Sequence, residues 1–308
     1  MDCNIFQFCK CLKLLGRIMI LIVLAFIGLS YYAVVWESYG PSIFEGSMQS
    51  RLGSFTAVFI FTFLIGMTLW SYFACVMTDP GKVPLGWHPF SSDEEADAQF
   101  SLASYGGQPA AVNGQRVRFC RKCKAWKPER AHHDSGTGRC VLRMDHYCIW
   151  VLNCVGLLNY KMFLLFLFWT FWACALASGL LINSFIRFFQ SDADLNSARP
   201  AIVFIAFVVD AAFCLSLFGF LIMHARLVVN NCTTIEMFEK ARGPPWPYTL
   251  GARRNFESVF GSRHWAWLLP MHSAAEKASM LDEALHEPYL QGPEMADLRG
   301  ADPLSCEV

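Results

Sequence analysis

The chain has 308 residues, of which 55% are hydrophobic and 16% are charged, and its 25 basic residues balance its 25 acidic ones. A soluble domain carries about 25% charged residues, so this composition excludes an ordinary soluble protein. The zero net charge gives no indication of a nucleic-acid partner. The apolar residues are concentrated in four blocks, and each is long enough for the roughly 20 residues that cross a bilayer as a helix.

These apolar blocks predict four transmembrane helices. Their predicted bounds are 16–36, 54–77, 162–185 and 201–224. Four long uncharged helices buried in a soluble protein would leave little polar surface to cover them. The first block is too long for a removable signal peptide and lacks a small-residue cleavage site. The predicted fold class is therefore an all-α membrane protein with four transmembrane helices.

Basic residues between the helices predict the orientation of the chain. Lys and Arg are frequent before the first helix, between the second and third, and after the fourth, whereas the other two connections contain few of them. Because short cytosolic connections are rich in Lys and Arg, both termini and the long central segment are predicted to be cytosolic. All cysteines outside the helices lie on that side, where thiols stay reduced, so we expect no disulfides.

The segments outside the helices differ in composition. Residues 1–15 are predicted to be a short cytosolic N-terminus, and the acidic, Gly-containing residues 91–115 a flexible linker. Residues 225–270 are predicted to be a cytosolic C-terminal subdomain, whose aromatic residues suit either the membrane interface or the core of a small amphipathic fold. The polar residues 271–308 are predicted to be a disordered tail.

Residues 116–161, between helices two and three, form a predicted cysteine-rich domain. Cys120 and Cys123 make a Cys-x-x-Cys pair, and His133 and Cys140 follow shortly after it. Three thiolates and one imidazole are a ligand set of closed, tetrahedral zinc sites. The pattern predicts a structural zinc ion; reduced cysteines packed together without a metal are the alternative.

The next motif is Asp145-His146-Tyr147-Cys148. A cysteine is a good nucleophile only as the thiolate, so it needs a base or a cation beside it. His146 is a candidate for that base, and Asp145 could hold the imidazole in one tautomer and stabilise its protonated form. Taken by itself, a His-x-Cys pair is more often a pair of metal ligands than a catalytic dyad.

The complete pattern resembles the DHHC cysteine-rich domain of protein S-acyltransferases, in an Asp-His-Tyr-Cys variant. The matching residues are Cys120, Cys123, Lys127, Pro128, Arg130, His133, Cys140, Asp145, His146, Cys148, Trp150, Asn153, Cys154, Gly156, Asn159 and Tyr160. Three further segments are similar to elements of that family: Asp79-Pro80-Gly81, Thr233-Thr234-Ile235-Glu236 and Asn255-Phe256. The resemblance covers most of the chain from Met1 to Pro270 and is closest to the plant branch.

This resemblance implies a function, a set of site residues and a set of partners. Cys148 would attack the thioester of palmitoyl-CoA, with His146 as general base and Asp145 orienting it. The acyl chain would lie among the four helices, with Trp150 at the mouth of that cavity, and would pass to a cysteine of a substrate protein. Substrates would be cytosolic or membrane-anchored proteins with juxtamembrane cysteines, at the Golgi, the endoplasmic reticulum or the plasma membrane.

The chain departs from the family at the second zinc site that the resemblance implies. The positions for Cys, Cys, His and Cys hold Asp134, Thr137, Tyr147 and Cys154. We therefore predict that only one zinc ion binds, that an aromatic contact of Tyr147 replaces the metal, and that Asp134 forms a hydrogen-bonded turn. If the loop is looser without the metal, the alternative function is a catalytically weak adaptor or chaperone for substrates or for active acyltransferases. The retained Asp145, His146 and Cys148 favour the enzyme.

Overall fold

The computed structural model describes residues 10–105, 111–112, 115–190, 199–240 and 248–286. These residues form two compact units. The first consists of the described residues of Met1–Leu14, Ala74–Lys161 and Ala225–Val308, and the second of Leu15–Phe73 and Met162–His224. The first unit contains the cysteine-rich domain and the C-terminal segment, and the second contains most of the apolar helices.

Helices account for most of the described chain. In chain order they are α1 (Lys10–Tyr31), α2 (Gly40–Glu45), α3 (Met48–Met77), α4 (Asp93–Ser104), α5 (Tyr160–Gln190), α6 (Arg199–Val229), α7 (Thr234–Lys240), α8 (Ala252–Phe260) and α9 (Ala274–His286). A π-helical stretch, Tyr32–Tyr39, joins α1 to α2, and a short 3-10 turn, His264–Ala266, follows α8. The predicted subdomain of residues 225–270 thus contains the end of α6, α7, α8 and this turn.

Four helical segments are long and apolar enough to cross a membrane, which confirms the predicted fold class. They are Gly16–Glu45, Met48–Met77, Tyr160–Gln190 and Arg199–Val229. Each is longer than the apolar block that predicted it. A bilayer core needs only about 20 residues of helix, so each segment is more than long enough to cross it.

The second unit packs its helices through small and branched side chains. Its core contains Ala33, Val34, Phe61, Ile65, Ala173, Ala177, Leu181, Val203 and Ala206. Small residues let helix backbones approach closely where the solvent is lipid. Asp210, in the middle of α6, is buried and accepts a 2.8 Å hydrogen bond from the Ser30 hydroxyl. This carboxyl group therefore faces the inside of the bundle, as expected for an ionisable residue at this depth.

The cysteine-rich domain consists of short antiparallel hairpins. Its strands are β1 (Ala111–Val112), β2 (Gln115–Arg116), β3 (Arg118–Cys120), β4 (Ala125–Lys127), β5 (His132–Asp134), β6 (Arg139–Val141), β7 (His146–Cys148) and β8 (Asn153–Val155). They pair as β1–β2, β3–β4, β5–β6 and β7–β8. A two-stranded hairpin is marginally stable on its own, so each needs side-chain or metal cross-links to its neighbours.

The predicted flexible linker of residues 91–115 is wrong for Asp93–Ser104, which form α4. The Ser92 hydroxyl caps this helix by accepting a hydrogen bond from the backbone N–H of Glu95. Buried Ala96 and Ala103 pack in an aromatic cluster with Phe90, Val117 and Trp126. Acidic residues in the first turn favour the helix further. Residues 106–110 and 113–114 of the predicted linker lie outside the described residues.

The predicted disordered tail of residues 271–308 is likewise wrong for Ala274–His286, which form α9. Ser273 and Glu276 cap this helix reciprocally: each side chain accepts a hydrogen bond from the backbone N–H of the other. Ala284 is buried in a cluster that includes Cys120 and Cys140, so the helix has tertiary support. Residues 287–308, and residues 1–9 of the predicted N-terminus, lie outside the described residues.

Candidate active site and metal centre

Two neighbouring hairpins bring the four predicted metal ligands together. Cys120 ends β3 and Cys123 lies in the turn before β4, while His133 and Cys140 are cross-strand partners on β5 and β6. All four ligand atoms lie within 4.8 Å of one another. In the described part of the chain, this is the one group of at least three His, Cys, Asp or Glu side chains arranged to hold a metal ion.

The distances between these ligand atoms fit a tetrahedral zinc ion. Zinc bonds of about 2.3 Å to sulfur and about 2.1 Å to nitrogen place ligand atoms about 3.6–3.8 Å apart. The Sγ atoms of Cys123 and Cys140 are 3.7 Å apart, and Nδ1 of His133 lies 3.6 Å from Sγ of Cys120 and 3.2 Å from Sγ of Cys123. The predicted ligand set is therefore confirmed as a group that could bind a metal.

The four positions of the second zinc site do not fit a metal ion. The Asp134 carboxylate accepts hydrogen bonds from the backbone N–H groups of Gly136 (3.1 Å) and Thr137 (2.7 Å). Tyr147 and Cys154 are cross-strand partners on β7 and β8. Burial raises the pKa of the Cys154 thiol, which packs as a neutral side chain among apolar neighbours. One thiol, one occupied carboxylate, a phenol and a threonine are not a zinc ligand set.

Asp145, His146 and Cys148 lie together at the start of the β7–β8 hairpin. Nδ1 of His146 is 2.6 Å from Oδ2 of Asp145, and the His146 ring is also hydrogen-bonded to the Cys148 thiol. Burial by itself disfavours the charged imidazole, but the two hydrogen bonds and the negative charge of Asp145 raise the pKa of His146 to about 9. The imidazole is therefore a strong proton acceptor beside a thiol that is only 7% exposed.

Thr234, the first residue of α7, holds the Asp145 carboxylate from the other side. Its backbone N–H donates to Oδ1 of Asp145 at 2.8 Å, and its hydroxyl donates to Oδ2 at 2.9 Å. Asp145 is 1% exposed, so these hydrogen bonds are what balance its loss of water. Sequence reasoning placed Thr234 in a family element without giving it a contact, because 89 residues separate it from Asp145.

A buried ion pair fixes α7 against the cysteine-rich domain. The Arg130 guanidinium binds both carboxylate oxygens of Glu236, at 2.6 and 2.8 Å, and lies 4.8 Å from the ring centre of Tyr248. Burial opposes ionisation of Glu236, but the charge and hydrogen bonds of Arg130 hold its pKa below the usual value. Glu236 also completes a capping box, because the side chains of Thr233 and Glu236 each accept a hydrogen bond from the backbone N–H of the other.

Asn153, the cross-strand partner of Cys148, anchors the β7–β8 hairpin. Its side-chain amide donates to the backbone oxygens of Cys75 (3.1 Å), Val76 (3.3 Å) and Thr78 (2.9 Å). The last carbonyl groups of a helix have no partner within it, so this amide satisfies the end of α3. The residue opposite the thiol is thereby fixed to a helix terminus.

The predicted acyl-binding residue Trp150 lies in the turn between β7 and β8, two residues after Cys148. Its side chain is 40% exposed, and that of the preceding Ile149 is 57% exposed. The tip of this hairpin therefore presents two large apolar side chains next to the thiol.

Comparisons with known proteins show which family this chain resembles. The family model for DHHC palmitoyltransferases matches residues 114–241. Probable protein S-acyltransferase 14 of Arabidopsis thaliana is 48% identical over 296 residues, which are 94% of each chain. Probable protein S-acyltransferase 13 of the same plant is 46% identical over 90% of this chain and 92% of its own.

A relative from outside plants matches over a similar range. Palmitoyltransferase ZDHHC20 of Homo sapiens is 31% identical over 282 residues, 86% of this chain and 76% of its own. The resemblance found in the sequence motifs, including the plant branch, is thereby confirmed. The chain belongs to the DHHC palmitoyltransferase family.

Proposed function

We propose that this protein transfers palmitoyl groups from palmitoyl-CoA to cysteines of other proteins, with Cys148 as the residue that carries the acyl group. The observation that carries this proposal is the hydrogen-bonded series Thr234–Asp145–His146–Cys148. It combines a nucleophile, a base and an orienting carboxylate that is itself held in place.

In the first step, His146 takes the proton of the Cys148 thiol, and the thiolate attacks the thioester carbonyl of palmitoyl-CoA. Asp145 stabilises the imidazolium that forms. The tetrahedral intermediate collapses when the bond to the CoA sulfur breaks, and the CoA thiolate takes the proton from His146. The products are CoA and palmitoyl-Cys148.

In the second step, the thiol of a substrate protein gives its proton to His146 and attacks the acyl carbonyl on Cys148. The Cys148 thiolate leaves and recovers the proton, so one thioester is exchanged for another without any net redox change. The exposed Trp150 beside the thiol supports its proposed role at the entrance for the acyl chain.

A single zinc ion, held by Cys120, Cys123, His133 and Cys140, would have a structural role. Four protein ligands close such a site, which then has no open position for a reactant. The ion would join the β3–β4 hairpin to the β5–β6 hairpin. The substitutions Asp134, Thr137 and Tyr147 support a stoichiometry of one zinc ion per chain.

The protein would work in an endomembrane of the Golgi or endoplasmic reticulum, or in the plasma membrane, with both termini in the cytosol. The distribution of Lys and Arg supports this orientation. Its partners would be the bilayer, palmitoyl-CoA and cytosolic or membrane-anchored proteins with juxtamembrane cysteines. Nothing in the net charge supports a nucleic-acid partner.

The test is to load the detergent-purified protein with a labelled palmitoyl-CoA analogue. We expect hydroxylamine-labile label on the wild type and none on Cys148→Ser. A variant with serine at Cys3, Cys9 and Cys11 is the control, because it removes three other cysteines and should load as the wild type does. Label that persists in Cys148→Ser, or never forms on the wild type, would contradict the proposal and favour the adaptor function.

A further inference from the structure

We infer that the ring of Tyr147, packed over Gly136, takes the place of a metal ion as the cross-link between the nucleophile hairpin and the loop that joins β5 to β6. The nucleophile hairpin is β7, β8 and the turn between them. The inference rests on the proposed function only in taking Cys148 as the nucleophile. Tyr147, Gly136 and Asp134 are positioning residues, which act on Cys148 without contacting the reactants.

The loop side of this cross-link is held by Asp134. Its carboxylate accepts hydrogen bonds from the backbone N–H groups of Gly136 and Thr137. Its backbone carbonyl accepts a third hydrogen bond, of 2.9 Å, from the backbone N–H of Gly138. Asp134 is only 2% exposed. A buried carboxylate with two N–H donors fixes a tight turn between β5 and β6, a task that metal ligation performs in a zinc knuckle.

The contact itself explains why residue 136 is a glycine. A Cβ atom at Gly136 would lie 2.6 Å from Cδ2 and 3.0 Å from Cζ of Tyr147, and closer still to Cε2. The backbone of Gly136 is outside the left-handed region, so its conformation would accept a side chain. The three nearest atoms to that Cβ all belong to the Tyr147 ring, so a side chain at 136 would require the ring to move.

The direction of Tyr147 makes it suitable for positioning rather than chemistry. Neighbouring side chains of a strand point to opposite faces, so Tyr147 on β7 points away from the face that carries His146 and Cys148. Its cross-strand partner Cys154 is fully buried on the same side and packs in one cluster with Val141 and Tyr147. The nucleophile hairpin is thus supported from behind by apolar packing.

The experiment compares Gly136→Ala, Tyr147→Ala, the double variant and Tyr147→Phe in detergent-purified full-length protein. Gly66→Ala is the matched control, because a Cβ at Gly66 would meet nothing within 4 Å. The readouts are zinc per chain, the rate of palmitoyl loading at saturating palmitoyl-CoA, the half-saturating palmitoyl-CoA concentration, and amide hydrogen exchange across Asp145–Val155.

We expect Gly136→Ala to slow saturated loading by about tenfold or more, because small displacements of a reacting group are costly, while the half-saturating concentration stays within about twofold. Tyr147→Phe should load as the wild type does, since it keeps the ring. Tyr147→Ala should load palmitate slowly. Adding Gly136→Ala to this variant should not lower the loading rate further, because the ring that would clash with the new Cβ atom is absent. Each variant should contain one zinc ion.

Three results would each overturn the inference. The first is two zinc ions per chain, and the second is a Gly136→Ala variant that loads palmitate at the wild-type rate. The third is a Gly136→Ala substitution that slows loading equally with and without Tyr147. If the wild type itself does not load, the proposed function fails, and hydrogen exchange still decides the inference. Gly136→Ala must then deprotect Asp145–Val155 when Tyr147 is present and leave that protection unchanged on the Tyr147→Ala background.

Discussion

His146 binds its proton more tightly than a free histidine does. Asp145 accepts one ring N–H, and Asp145 is itself fixed by two hydrogen bonds from Thr234. With a pKa near 9, this imidazole holds a proton at neutral pH more strongly than an unperturbed imidazole of pKa 6.5. The stability of the folded protein therefore depends on pH, because the folded protein binds this proton more strongly than the unfolded chain does.

We therefore expect the stabilising contribution of His146 to be complete below its unfolded pKa of 6.5 and to disappear as the pH rises through about 9. The sign follows because the folded-state pKa is the higher of the two, so unfolding releases a proton in this interval. The measurement is the melting temperature of the detergent-purified protein from pH 6 to pH 10, compared with His146→Gln.

The difference between wild type and His146→Gln should shrink across that interval. Asp145→Asn supplies a second comparison, because it removes the charge that raises the pKa and should flatten the profile. A difference that stays constant from pH 6 to pH 10 would mean that His146 titrates outside this range.

At the scale of single elements, α9 packs against two of the four residues that could hold the metal ion. Ala284 is 6% exposed and lies in one cluster with Cys120 and Cys140, with Met280 and Leu281 packed against it. Apolar neighbours exclude water and chelators from thiolate ligands, so they slow metal release.

Ala284→Glu should accordingly speed the release of zinc to a chromogenic chelator by about tenfold, since loss of such supporting contacts costs about 10–100-fold in metal affinity. Ala278→Glu is the matched control, because it makes the same change on the exposed side of the same helix. Equal release rates for the two variants would show that the packing of α9 does not protect the metal centre.

The sequence contains capping motifs for α4 and α9, although the polar composition of both segments favoured a linker and a disordered tail. Ser92 precedes Glu95, and Ser273 precedes Glu276, by three residues, which is the spacing of a capping box. The same spacing is found at Thr233 and Glu236, where α7 begins. Both missed helices are short and contain many polar residues. Each packs only one face on its neighbours, and mean hydropathy does not reveal such a face.

The four spans and the ligand set were predictable because each depends on residues close together in the chain. Contacts such as Arg130–Glu236, which are 106 residues apart, were not, because any of several acidic residues could pair with that arginine. The same holds for Asn153 and the end of α3. Sequence reasoning predicted the reacting groups, but the residues that fix their positions come from distant segments.

At the scale of the molecule, the metal centre is expected to govern the cysteine-rich domain alone. Removing the ion should release one zinc per chain, abolish palmitoyl loading and make residues 116–161 sensitive to protease. The membrane helices bury their own core and should keep their helical circular dichroism. The measurements are metal analysis, limited proteolysis and circular dichroism before and after treatment with a zinc chelator.

Two cysteine variants sharpen this prediction. Cys123→Ser removes a proposed ligand and should purify without stoichiometric zinc. Cys154→Ser changes a buried thiol outside the ligand set and should keep one zinc ion per chain. Loss of zinc from Cys154→Ser would mean that the second set of positions does bind metal.

The pairing of Gly136 with Tyr147 also has a historical consequence. A glycine at position 136 is compatible with any residue at 147, at the small entropic cost of a more flexible loop. A tyrosine ring in its present position at 147 leaves no room for a Cβ atom at 136. The glycine must therefore have arisen first or together with the tyrosine. Once both were present, the glycine could not be replaced while the tyrosine ring kept its position, whereas the tyrosine could still be replaced alone.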